Sequence, residues 1–283
     1  MPDSDRIDNA LERGYNIRAP RLDFDELFSD WSRRSKAFRS RASSFLDVAY
    51  GDAERRRLDI FPASTGAPTL VYLHGGYWQS GDKSAYSFLG GSFVDKGVSL
   101  VVMNYTLCPQ TTVPAITEEV RHGLTWLYRN SARYGLASGR INVTGHSAGG
   151  HLTAMMMATD WRARDPELPG DLVRTGVAIS GLYDLEPLRY TSINRAARID
   201  DDAARRCSPL FLSPRAGARV LTVVGGRETD AFHEQAGNLA ARWMAAGGHM
   251  ERYVEPDADH FDLVDRLADA ESALFKKVRT WLA

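Results

Sequence analysis

The sequence predicts an α/β fold, a mostly parallel, doubly wound sheet of about eight strands with helices on both faces. Three observations predict it. Continuous apolar runs rich in β-branched residues recur along the chain, as strands covered on both faces require. Segments of helical periodicity separate them, which implies right-handed crossovers between parallel strands. Glycine turns follow several of the runs, at the carboxyl ends where such sheets gather their ligands.

The elements follow in order. Residues up to about position 45 are polar and Arg-rich, and read as an N-terminal helical cap segment. "RRLDIF" (56–61) alternates like a strand, while "TLVYLHGG" (69–76) and "VSLVVMNY" (98–105) are continuously apolar. "INVTG" (141–145), "GVAISG" (176–181) and "RVLTVVGG" (219–226) repeat the theme, and "ERYVEP" (251–256) adds a last strand. Ile116, Val120, Leu124 and Leu127 share one face of a helix near 114–134. Phe232, Ala236, Leu239 and Trp243 do so near 229–246, before a Gly247-Gly248 stop. Leu263, Leu267, Leu274, Val278 and Trp281 mark a closing helix. Residues 182–218 break the rhythm with prolines and "RAARIDDDAARR", and read as an insertion that forms a partial lid. The whole of 1–283 reads as one domain.

Composition narrows the function. Hydrophobic residues make up 43% and charged residues 25% of the chain, enough for a sizeable core. With 35 basic and 36 acidic side chains the net charge is −1, which points away from nucleic acid and anionic membranes and towards a small, roughly neutral ligand. Cys108 and Cys207 lie far apart in no metal-like spacing and read as reduced thiols. The charged N-terminus lacks a secretory h-region, and no apolar run reaches the roughly 18 residues of a membrane span. A cytoplasmic protein is the expectation, with no metal or organic cofactor, and a homodimer remains open.

"VTGHSAGGH" (143–151) is the sharpest signal: G-x-S-x-G where a strand runs into an Ala- and Met-rich helix. Small flanking residues let the chain turn tightly enough to expose the Ser147 hydroxyl. The Ala148 amide, opening the helix, would then face a developing oxyanion. "LHGGYW" (73–78) ends an earlier strand, and the amides around Gly75, Gly76 and Tyr77 can supply further donors. Tyr77 and Trp78 are candidates to line an aromatic pocket, against the plainer reading of packing beside a sheet.

A serine nucleophile needs an imidazole base. Of seven histidines, His74 and His146 belong to the turns, His122 and His233 to helices, His151 to the helix behind Ser147, and His249 to a glycine-rich turn. His260, in "EPDADHFDLV", follows the last strand at the end of the sheet where Ser147 emerges, so it is the candidate base. The chain order Ser, acid, His then places the acid between 147 and 260, with Asp184, Glu228 and Asp230 as candidates. Asp259, adjacent to His260, is badly placed to orient it.

These residues resemble the arylformamidase (kynurenine formamidase) branch of the α/β-hydrolases, near the hormone-sensitive-lipase-like esterases. The likeness runs through "YNIRAP" (15–20), "HGGYW" (74–78), "NYTLCP" (104–109), "GHSAGGHL" (145–152), "SGLYDLEPL" (180–188), "TSIN" (191–194) and "DADHFDLV" (257–264). It implies an α/β-hydrolase fold, Ser147 as nucleophile and His260 as base. It also implies an oxyanion hole from Gly75–Tyr77 and Ala148, and hydrolysis of an N-formyl aryl amine such as N-formyl-L-kynurenine. The family's acid, an aspartate in animal relatives, falls at Glu228. Local arithmetic favours the same residue. If Thr229 is an N-cap, Asp230 opens the next helix, where the dipole favours a carboxylate by about 0.3–1 kcal/mol. Glu228 then has no such structural role, and Asp230 and Asp184 stand as alternatives. Trp78 and His146 are expected to touch the substrate. A carboxylesterase for small acyl esters is the second functional expectation, and a catalytically silent ligand-binding hydrolase fold the third.

Overall fold

In the computed structural model, which describes residues 7–19 and 21–282, eight strands form one sheet. They are β1 (Phe45–Ala49), β2 (Arg57–Phe61), β3 (Thr69–Leu73), β4 (Ser99–Met103), β5 (Ile141–His146), β6 (Val173–Ile179), β7 (Arg219–Gly225) and β8 (His249–Glu255). Their order is β1-β2-β4-β3-β5-β6-β7-β8. β2 pairs antiparallel with both β1 and β4, and the remaining pairings, from β4 through β3 to β8, are parallel. This is the α/β-hydrolase arrangement. β1 is the strand that no apolar run announces. It is an edge strand, mostly exposed, so neither face demanded hydrophobic residues.

Among the described residues, eleven α-helices accompany the sheet. α1 (Asn9–Tyr15) and α2 (Phe24–Arg39) precede the sheet, and α3 (Gly90–Phe93) and α4 (Val113–Asn130) flank β4. α5 (Ala148–Met157) and α6 (Trp161–Arg164) follow β5, and α7 (Asn194–Ala197) and α8 (Asp201–Arg206) lie beyond β6. α9 (Asp230–Ala245), α10 (Asp262–Ala268) and α11 (Ala273–Trp281) close the fold. The strand period of two sorts the core into two layers. Val71, Leu73, Val101 and Met103 join Leu124 of α4, Leu152 of α5 and Trp243 of α9. Leu70, Tyr72, Leu100 and Val102 join Trp31 of α2, Phe93 of α3 and Phe275 of α11 on the other face. Each fully buried side chain of this size stabilises the fold by about 1.5–3 kcal/mol.

Local chemistry sets the helix ends. Thr112 caps α4, accepting from the Ala115 amide, and Pro114 occupies the first turn. The expected single closing helix is two. Asp269 leaves helical backbone, and Ser272 starts α11 afresh by accepting the Phe275 amide at 2.9 Å. The start of the 182–218 insertion is seated in the core, where Leu182, Tyr183, Leu185 and Leu188 are wholly buried. Of the N-terminal segment, residues 1–6 and the proline of "YNIRAP" lie outside the described residues.

Candidate active site

β5 ends at His146 and α5 begins at Ala148, leaving Ser147 to make the turn alone. Its φ of 59° and ψ of −118° are strained for an L-residue. The Ser147 amide donates to the Ile179 carbonyl at 2.8 Å, which fastens the turn to the end of β6. Gly149 must be glycine: a Cβ there would lie 1.9 Å from the Leu73 carbonyl oxygen. The elbow is thus pressed against β3 as closely as backbone permits.

His260 stands in the loop between β8 and α10. Its Nδ1 lies 2.7 Å from Glu228 Oε2, and both side chains are almost wholly covered. A carboxylate only accepts, so Nδ1 carries the proton and Nε2 keeps the lone pair of a base. Glu228 is itself held. Its other oxygen accepts the Ser180 hydroxyl at 2.5 Å and the Gly225 amide at 2.7 Å. Ser180, at the end of β6, also has left-handed backbone, with φ of 48°. The imidazole of His260 packs against the rings of Phe232, at 4.8 Å, and His146, at 4.4 Å. His146 Nε2–H donates to the His260 carbonyl at 2.7 Å. Burial, reinforced by His260, holds the His146 pKa well below its usual range, so it stays a neutral brace. No hydrogen bond joins Ser147 to His260 here. Such contacts often close only around substrate.

The loop after β3 supplies the remaining parts. Gly76, with φ of 107°, turns so tightly that its carbonyl accepts both the Gln79 and Ser80 amides. Tyr77 and Trp78 follow with φ of 50° and 59°. Among the described residues, the amides of Gly76, Tyr77 and Ala148 find no acceptor. An oxygen gaining negative charge beside Ser147 would meet these donors and the positive end of α5. Behind the loop, His74 stacks on Tyr105 at 4.4 Å and donates from Nδ1 to the Gly75 carbonyl at 2.8 Å. Burial pushes its pKa down to about 4, so it too stays neutral. Arg55 reaches the Gly81 carbonyl at 2.7 Å and the Tyr105 carbonyl at 2.9 Å. Asn104 accepts the Lys83 amide and donates to Asp82, both at 2.7 Å. "NYTLCP" therefore serves as scaffolding for the glycine loop.

The remaining candidates separate clearly. Asp230 is the exposed first residue of α9, behind an extended Thr229 at the N-cap. Asp184 turns to its own loop, accepting the Glu186 amide at 3.0 Å. Asp259 accepts the Phe261 and Asp262 amides and pairs with Arg21. Trp78 does not face a ligand. Its indole is wholly buried, edge-on to His151 at 5.0 Å, on the core side of the loop. That corrects its expected substrate contact. His146, by contrast, does reach the cavity wall.

Ser147, His260 and the glycine loop open onto a cavity of about 530 Å³, within the range of small-molecule sites. Phe24, Phe28, Trp31, Tyr86 and Phe261 make its walls largely aromatic. Three of these come from α2, so the N-terminal segment is part of the site. It is tied down at several points. Thr229 Oγ1 donates to the Gly14 carbonyl at 2.7 Å, Gln235 to the Tyr15 hydroxyl at 2.9 Å, and the Tyr77 hydroxyl to the Tyr15 carbonyl. Glu12 accepts from both the amide and hydroxyl of Ser192, and Arg21 holds Asp259 and Asp262. Among the described residues, no group of three His, Cys, Asp or Glu side chains is arranged to hold a metal, and no helix is long and apolar enough to cross a membrane.

The chain is 30% identical over 272 residues to a kynurenine formamidase of Danio rerio, covering 91% of this chain and 90% of that protein. It belongs to the kynurenine formamidase family. Within the family's α/β-hydrolase fold, a BD-FAE model matches residues 58–175, from β2 to the start of β6. A solved candidate thioesterase from Silicibacter sp. TM1040 superposes with a TM-score of 0.83 at 33% identity, over 94% of this chain and 97% of that one. Esterase LipQ of Mycobacterium tuberculosis is 28% identical over 78% of this chain and 58% of its own length. The kynurenine formamidase branch thus adjoins esterases, and the chain is a hydrolase of the α/β-hydrolase kind. Sequence reasoning missed Ser180, Arg55 and the aromatic face of α2. Only the last left a signal, the clustered Phe24, Phe28 and Trp31.

Proposed function

We propose that the chain hydrolyses an N-formyl aryl amine, with N-formyl-L-kynurenine as the type substrate, through a formyl-enzyme. His260 Nε2 takes the Ser147 proton as Oγ attacks the formyl carbon. The carbonyl electrons pass to oxygen, which the Gly76, Tyr77 and Ala148 amides receive. The oxyanion collapses, the carbon–nitrogen bond breaks, and His260 hands its proton to the departing aryl amine. Water, deprotonated by the same imidazole, then attacks the formyl ester and releases formate and free Ser147. Glu228 keeps the His260 tautomer and balances the transient imidazolium. The observation that carries this reading is the covered 2.7 Å contact from His260 to Glu228, beside a strained Ser147 on one aromatic cavity. The relative named kynurenine formamidase supports the substrate class.

A carboxylesterase for small acyl esters is the second reading, favoured by the likeness to esterase LipQ, since the same groups would serve. Steady-state kinetics on N-formyl-L-kynurenine and p-nitrophenyl acetate separate the two. The formamidase reading expects the higher kcat/KM on the formamide. An ester preference of about a hundredfold, on the order of 3 kcal/mol in transition-state binding, would overturn it.

A further inference from the structure

Apart from the histidines, two charged side chains are found among the described cavity-lining residues, and they are opposite in sign: Arg18 and Asp25. Arg18 Nη2 lies 3.2 Å from Asp25 Oδ1. The pair is wet, with side chains 59% and 92% exposed, whereas Ser147 is 3% exposed. The cavity therefore runs from a reactive, covered end to a charged, open one. We propose that Arg18 and Asp25 are a specificity clamp for a zwitterion, taking the α-carboxylate and α-ammonium of an aryl formamide that carries an amino-acid side chain. This rests on the formamidase reading and assigns the residues that would select its substrate.

Three features fit that role. An exposed ion pair contributes at most about 1 kcal/mol, so exchanging its partners for the two ends of a zwitterion costs little. The Arg18 guanidinium is already oriented, 4.4 Å above the Phe24 ring, which presents its planar fork to a carboxylate. Phe24 in turn meets Phe261 edge-on at 5.0 Å, and Phe261 meets His260 at 5.3 Å. Two packed rings thus link the Arg18 end of the cavity to the imidazole. The zwitterion would also leave the cavity neutral, whereas a simple ester or an uncharged formamide would gain nothing from either residue. Asp25 additionally sits in the first turn of α2, where the helix dipole favours it. A readout beyond stability is therefore needed.

The test compares N-formyl-L-kynurenine with 2-formamidoacetophenone, its neutral aryl formamide core. The readout is the ratio of their kcat/KM values in the wild type and in Arg18→Gln, Arg18→Lys and Asp25→Asn. We expect the ratio to fall at least about tenfold in Arg18→Gln and Asp25→Asn, chiefly through KM, because charged hydrogen bonds to substrate are lost. Arg18→Lys should keep more of the ratio than Arg18→Gln, since the charge remains and the fork does not. A ratio held within about twofold in both neutral variants, with the wild type still preferring N-formyl-L-kynurenine, would overturn the clamp and leave the formamidase reading intact. A wild type that cleaves p-nitrophenyl acetate but neither formamide would overturn the formamidase reading, and the clamp with it.

Discussion

In one part of the cavity, Ser147, Glu228 and His260 hang from strand ends whose backbone is tied into the sheet. In another, α1, α2 and the described residues between them reach the site largely through side-chain contacts. The first part carries backbone strain at Ser147 and Ser180, each directly beyond a strand, and at Tyr77 in the loop after β3, and strain persists only where surrounding structure enforces it. The second part carries no such strain among its described residues and offers aromatic area and charge instead. On the proposed function the contrast divides the labour: the strand ends would fix the reacting atoms, and the helices would select what is brought to them.

Breaking the first part should have the larger effect. Replacing Glu228 by Gln lets His260 Nδ1 accept from an amide, which favours the wrong tautomer, and kcat should fall on the order of 10³–10⁴-fold. Asp230→Asn should leave kcat near the wild-type value and remove at most about 1 kcal/mol of dipole stabilisation from α9. Steady-state kinetics on both variants check this, and a larger kcat loss in Asp230→Asn would reverse the roles.

What sequence shows of these two parts differs for a physical reason. The elbow, the glycine loop and the His260 loop are local: turn chemistry within a few residues demands glycine, serine and histidine in a readable order. Sequence favours Glu228 over Asp230 because a helix start already accounts for Asp230. The alternation of apolar strands and periodic helices made the sheet equally plain, apart from the exposed edge strand β1. Ser180 and Arg55 were not legible, because their partners are 48 residues away at Glu228 and 26 away at Gly81. The error over Trp78 has the same origin. Two successive left-handed residues turn its ring to the core side of the loop, and no spacing rule announces that.

Loosening the second part should give a smaller and different change. Arg21→Met removes the ion-pair tie between the N-terminal segment and the His260 loop, leaving Asp262 to Arg227 and the Phe24–Phe261 contact in place. A partly exposed ion pair of this kind is worth up to about 1 kcal/mol, so kcat/KM should fall about fivefold, mainly through KM. Kinetics showing a kcat loss as deep as that of Glu228→Gln would erase the distinction between the two parts.

The central claim, covalent catalysis at Ser147, is tested most directly by treating the enzyme with diethyl p-nitrophenyl phosphate and mapping the adduct by peptide mass spectrometry. The account predicts a diethylphosphoryl group on the Ser147 peptide, formed in step with the loss of hydrolysis. Inactivation with the adduct elsewhere, or complete modification of Ser147 with activity retained, would contradict it.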